Sequence, residues 1–187
     1  MSDFSSAFKI ALQLLASFDF DLRAIVLLSL EVSMTASVCA FVIGAPLGTA
    51  LAVYRFPGRN LLVVLANTLL GLPPVVVGLA VYLLLSRSGP LGWFGLLFTP
   101  IAMVIAQTVL GTPIVLALVH RVTVKLWRAY GDSLLVSGAS RVRAIRPLMR
   151  MGREGLLTAF LAAFGRAIAE VGPLSWLGAI YADTRAP

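Results

Sequence analysis

Arg166 and Glu170 stand four residues apart inside AFGRAIAEVG, within an otherwise uncharged apolar run. On a helix that spacing puts both side chains on one face. Each charge costs about 2.5–3.5 kcal/mol at the centre of a membrane helix by insertion scales, so the two are expected to pair and to face a bundle interior. With Arg ahead of Glu the local pair has its weaker orientation, which favours partners elsewhere over a purely local bridge. Two kinds of chemistry remain open for such a pair: a structural salt bridge between helices, or contact with a charged solute crossing the membrane. Catalysis has little to work with. The single His120 and the single Cys39 lie at the edge of and within apolar runs, so they assemble no disulfide framework and no metal site, and no cofactor is expected in this chain.

Two further stretches carry unusual residue types. In GLPPVVVG, the adjacent Pro73 and Pro74 fall near the middle of an apolar segment, where neither supplies an N–H to a helix ladder. A break or kink is expected there. Carbonyls freed by it must face protein or a watery cavity, where half-helix ends can address an ion; a kink that only shapes packing is the competing reading. The other stretch, GDSLLVSGASRVRAI from Gly131 to Ile145, is polar, basic and interrupted by Gly138. A short helix running into that glycine makes an amphipathic element rimmed by arginines, suited either to anionic lipid or to a groove on a partner protein.

The elements that must hold these residues are apolar spans. Of 187 residues, 59% are hydrophobic and only 12% charged, and the mean hydropathy is +0.96. This composition excludes an ordinary soluble domain and predicts an all-α integral membrane protein of about four transmembrane helices. The runs lie at about 24–54, 61–85, 96–119 and 156–181, after an N-terminal extracytoplasmic or interfacial segment over 1–23. The second and third runs contain no charge. The first contains Glu31 near its outer end, read as a headgroup-layer residue, and carries Gly44 and Gly48 in the small-xxx-small pattern of close helix packing. The interval 120–154 is read as a cytoplasmic loop, because it holds eight of the fifteen Lys and Arg residues. The positive-inside rule then places Arg55 and Arg59 inside, and Arg87 and the N-terminus outside. The net charge of +7 serves this orientation, so no nucleic-acid partner is expected. Trp93, in the SRSGPLGWFG loop, takes the position of an interfacial anchor.

Over most of its length the chain resembles the membrane permeases of ABC importers. Asp132, followed six positions later by Gly138 in DSLLVSGAS, is similar to the EAA loop on which the ATPase docks. SLEVSMTASV, YRFPGRNLL, NTLLGLPPVVVGLAVYLLLSRSGPLG, LLFTPIAMVIAQTVLGTPIV and AFGRAIAEVG resemble the tungstate permeases, relatives of the molybdate and sulfate permeases. The resemblance implies an inner-membrane homodimer with a separate ATPase under each cytoplasmic loop and an extracytoplasmic oxyanion-binding protein above. No GxxxxGK[ST] phosphate loop occurs in this chain, in keeping with ATP hydrolysis elsewhere. It implies ATPase coupling through Asp132, Ser133, Leu134, Gly138, Ala139 and Arg141. It also implies an oxyanion path past Pro73, Pro74, Arg166, Glu170 and Gly172.

The match has departures. Asp132, Ser133 and Leu134 replace Glu-Ala-Ala, and Arg150 and Met151 stand where the pattern has Leu-Pro. The resemblance is read to end at Gly172, where Pro173 predicts a kink. The family normally continues through one more membrane helix, whereas this sequence continues as PLSWLGAIYADTRAP. A molybdate or sulfate permease is one alternative expectation, and a shortened, non-transporting membrane protein is another.

Overall fold

The computed structural model describes residues 20–97 and 99–183, with side-chain surroundings described within 23–170. The expected interfacial segment over 1–23 falls mostly outside the described residues. Among the described residues six α-helices follow in order: α1 (Phe20–Val53), α2 (Arg59–Leu69), α3 (Pro74–Leu85), α4 (Pro100–Val136), α5 (Arg141–Met151) and α6 (Arg153–Asp183). A single 3₁₀ turn, Gly92–Phe94, lies between α3 and α4, and no strand occurs among the described residues. Trp93 on that turn is exposed.

α1 is apolar on every side, so polarity does not choose its packing face; side-chain size does. Most of its buried residues are small, Ser33, Ala36, Ser37, Ala40, Gly44, Ala45, Gly48, Thr49 and Ala52, joined by Val32, Leu51 and Val53, whereas Val26, Leu27, Val42, Ile43 and Leu47 are exposed. Small side chains let two backbones approach, and in lipid that gain in dispersion contact replaces the hydrophobic drive available in water. α4 uses the approach. A Cβ added at Gly44 would lie 2.9 Å from the Thr112 carbonyl, and one at Gly48 only 2.6 Å from that of Leu116. Two of the buried hydroxyls bond one turn back along their own helix, Ser37 Oγ to the Ser33 carbonyl at 2.6 Å and Thr49 Oγ1 to that of Ala45 at 2.8 Å, whereas Ser33 Oγ has no partner among the described residues. α6 completes the frame through Leu156, Ala159 and Ala163, which pack with Ala40, Val115 and Val119, while Phe160 meets Phe41 edge-on at 5.9 Å.

The run expected to span from 61 to 85 is not one helix. α2 and α3 meet at an angle of 105°. Pro73 is the N-cap of α3 and Pro74 its first residue, so neither donates to the ladder of α2 and the chain restarts in a new direction. α2 lies across α4: Arg59 Nη2 is 3.4 Å from His120 Nε2, while Arg121 Nη2 donates to Asn67 Oδ1 at 2.8 Å. Residues eight apart on α2 thus reach successive residues of α4. α3 then packs by Val77, Val81 and Leu85 against Leu110, Ile105 and Ala106, toward the Pro100 end of α4. The pair therefore carries the chain from the His120 level toward the opposite end of α4.

The interval 120–154 is largely helical. α4 does not end near Val119 but continues to Val136, 37 residues in all and about 55 Å at 1.5 Å per residue. That exceeds a hydrocarbon core of about 30 Å, so its last turns project beyond one. The short helix expected over Asp132 to Arg141 is instead the end of α4 and the start of α5. Among the described residues, two helices are long and apolar enough to cross a membrane, Ile25–Val53 and Pro100–Val136, and the bent pair makes a third if it is one span.

Candidate functional site

α4 stops at a corner. Gly138 has φ +81°; its N–H donates to the Leu135 carbonyl at 3.0 Å and the Ala139 N–H to that of Leu134 at 3.1 Å. These paired bonds form a Schellman stop, whose left-handed position suits glycine. A Cβ at Gly138 would meet nothing within 4 Å, so within this chain the glycine serves the turn rather than a close contact. Ser140 then caps α5 by accepting from the Arg143 N–H at 3.3 Å.

The corner is tied to the frame from below. Arg141 Nη1 donates to the Val53 carbonyl at 3.0 Å, and Arg59 Nε donates to the Leu51 carbonyl. Two guanidinium groups thereby hold the C-terminal end of α1, where carbonyls lack helical partners and the helix dipole favours positive charge. α5 is seated by Ala144 and Leu148 on Val53, flanked by Leu126, Trp127 and Leu134. Its other face is the exposed stripe Arg143, Arg146 and Arg150. At the α5–α6 junction, a Cβ on Gly155 would come within 2.6 Å of Val122, so α4 also grips the start of α6.

Of the residues read as coupling residues, Asp132, Ser133, Gly138 and Arg141 are exposed, Ala139 is half-buried, and Leu134 packs into the α5 seat. Around them stand apolar side chains directed outward: Val136 at 90% exposure, Val142 at 64% and Leu135 at 40%. The amphipathic α5 was legible in RVRAIRPLMRM, with Ala144 and Leu148 one turn apart opposite the arginine stripe. The links from Arg141 to Val53 and from Arg59 to Leu51 were not legible, because nothing in a sequence shows which helix end an arginine reaches.

The residues read as path residues form a second group. Arg166 Nε lies 2.9 Å from Glu170 Oε1, with the side chains 32% and 17% exposed. The pair is therefore local, against the expectation drawn from its orientation. Its contact is not a well-aligned hydrogen bond, and Glu170 Oε2 is buried without a hydrogen-bond partner among the described residues. Arg166 also reaches outside its helix, Nη2 to the Leu72 carbonyl at 3.4 Å, the residue immediately before Pro73 and Pro74. The two prolines are exposed. Gly172 and Pro173 belong to the part of α6 whose side chains lie outside the described residues.

A cavity of about 550 Å³ opens between the end of α1, α2 and α4, lined by Leu47, Leu51, Leu62, Leu65, Pro113 and Leu116 among others. Its walls are mostly apolar, with Tyr54, Arg55 and Thr112 also among the lining residues. Among the described residues, no group of His, Cys, Asp and Glu is arranged to hold a metal ion.

Residues 44–185 match the family described as binding-protein-dependent transport system inner membrane component. The chain belongs to this family. The match continues past Gly172, beyond the point at which the resemblance was read to end. The chain is 38% identical over 157 residues to a "probable anion ABC transporter permease protein" of Haloferax volcanii, covering 84% of this chain and 68% of the relative. It is 34% identical to the tungstate uptake system permease protein of Peptoclostridium acidaminophilum, covering 95% and 78%. To the molybdenum transport system permease protein of Escherichia coli K12 it is 30% identical, covering 86% and 74%. As an inner membrane component, it is a transport subunit, and its helices are those of a multi-pass membrane protein.

Proposed function

We propose that this chain is the membrane subunit of an ABC importer moving tungstate, or a similar tetrahedral oxyanion, into the cytoplasm by ATP-driven alternating access. The substrate rests on one observation above others: the tungstate permease of Peptoclostridium acidaminophilum matches along 95% of the chain. Two copies form a homodimer in the lipid of the inner membrane, with an ATPase subunit under each corner and an extracytoplasmic oxyanion-binding protein above. The N-terminus lies outside. The arginine stripe of α5 and the basic end of α4 face the cytoplasm, as the positive-inside rule favours.

Asp132, Ser133, Leu134, Gly138, Ala139 and Arg141 form the contact that the ATPase moves. The outward Leu135, Val136 and Val142 supply an apolar tip for a protein groove, which suits a partner protein better than a purely basic surface would. Force applied at Gly138 has three routes upward: the unbroken α4, Arg141 on the end of α1, and the Gly155–Val122 contact into α6. α2 and α3 change direction by 105° at Pro73 and Pro74, and this joint is where the proposed movement bends the chain. The anion passes Pro73, Pro74, Arg166, Glu170 and Gly172.

Uptake into proteoliposomes containing the chain, its ATPase and its binding protein tests this reading. ATP-dependent tungstate accumulation, competed less well by molybdate and sulfate, is the expected result. Accumulation of none of the three oxyanions would overturn the importer reading, and preferential accumulation of sulfate or molybdate would overturn the substrate.

A further inference from the structure

We propose that Arg166 is a transient oxyanion-binding site and that Glu170 is its built-in competitor, which weakens the site enough for the anion to leave. The proposal rests on the importer reading above and deepens it. Arg166 lies thirteen residues into α6, about 20 Å along the helix from Arg153, so it stands far from either expected water boundary. A lone guanidinium in such surroundings would hold a divalent oxyanion tightly through charge-assisted, paired hydrogen bonds. A transport path needs the opposite balance, binding strong enough for entry and weak enough for release.

The geometry supplies that balance. Glu170 Oε1 is 2.9 Å from Arg166 Nε without an aligned hydrogen bond, and Oε2 has no hydrogen-bond partner among the described residues. A salt bridge built only to hold helices together would satisfy both carboxylate oxygens and join two helices, because an unsatisfied buried oxygen is costly. Among the described residues this one leaves Oε2 unsatisfied, and both members sit on α6. The guanidinium is only half engaged, with Nη2 at a long 3.4 Å from the Leu72 carbonyl beside the helix break. An arriving oxyanion can take Arg166 from Glu170 and from Leu72 without stripping the guanidinium of all its partners. The returning carboxylate then displaces the anion.

The test uses the permease–ATPase complex in nanodiscs without the binding protein, with tungstate as the probe for affinity, alongside uptake by the complete importer. Glu170→Gln is expected to bind tungstate roughly tenfold more tightly, the scale of one hydrogen bond to a charged group, while uptake slows. Arg166→Met is expected to lose the binding. The charge-exchanged variant Arg166→Glu/Glu170→Arg restores a local ion pair but moves the cation away from Leu72, and is expected to restore thermal stability without restoring uptake. Unchanged tungstate affinity in Glu170→Gln, or full uptake by the charge-exchanged variant, would overturn the proposal and leave the importer reading intact. Failure of the unaltered complete importer to accumulate any oxyanion would overturn the importer reading itself.

Discussion

At two places in this molecule an arginine reaches a carbonyl left free where a helix ends. At the corner, Arg141 bonds the Val53 carbonyl at the end of α1; at the break, Arg166 reaches that of Leu72 just beyond α2. The surroundings differ. Arg141 is exposed and no carboxylate pairs with it among the described residues, whereas Arg166 is half-buried and has Glu170 beside it. Water screens the first cation, so it can act as a mechanical tie between helices. The second lies in the run read from the sequence as a membrane segment; in lipid a charge needs a counter-charge, and on the proposed reading that counter-charge gives an anion something to compete with. On the proposed importer reading, one interaction type serves transmission at one level and solute handling at the other.

Matched substitutions separate the two roles. The largest effect is expected from Arg166→Met, which leaves Glu170 half-buried without its cation. Breaking a buried pair costs about 3–5 kcal/mol, and the partial exposure of Arg166 lowers this to about 2–3 kcal/mol, read as a drop in thermal unfolding temperature in nanodiscs. Next is Gly48→Leu, which drives a side chain into the Leu116 carbonyl and should cost about 1–3 kcal/mol while disturbing corner and break alike. If Gly48→Leu left both stability and uptake unchanged, the frame joining the two regions would be wrongly placed.

Smaller effects are expected at the corner. Gly138→Ala puts a side chain at φ +81° and should cost about 1 kcal/mol, with Gly138→Asn milder because Asn tolerates that conformation. Coupling should weaken in the same order. Arg141→Gln removes a charged donor from the Val53 carbonyl at an exposed site, for a loss of about 0.5–1 kcal/mol. Its signature is ATP hydrolysis that no longer drives uptake, with tungstate affinity unchanged. A change in tungstate affinity for Arg141→Gln would erase the distinction between the two regions.

Much of this organisation was legible in the residues. Gly44 and Gly48 announce the close approach of α1 to α4, Pro73 and Pro74 announce the break, and Gly138 announces the corner. Hydropathy did not reveal that 61–85 bends by 105°, because α2 and α3 are both apolar and a window average carries no direction. It also gave only the apolar run 96–119, whereas α4 runs on through Arg121, Lys125 and Arg128 to Val136, because the helix ladder is indifferent to polarity and Leu, Ala, Lys and Arg all sustain a helix in water. The local Arg166–Glu170 contact was missed for a related reason. Helix-peptide orientation preferences are a few tenths of a kcal/mol, too small to decide a pair whose alternatives include bare lipid.

Transmission from the corner is the central claim, and Val136 tests it most directly. At 90% exposure its side chain makes little contact within the fold, so Val136→Arg should leave thermal stability within about 0.5 kcal/mol of the unaltered chain. Co-purification of the ATPase with this variant, followed by ATP-dependent tungstate uptake, is the measurement. Loss of the ATPase and of uptake from a fully folded permease is the predicted result; retention of both at unaltered levels would contradict the corner as the docking site.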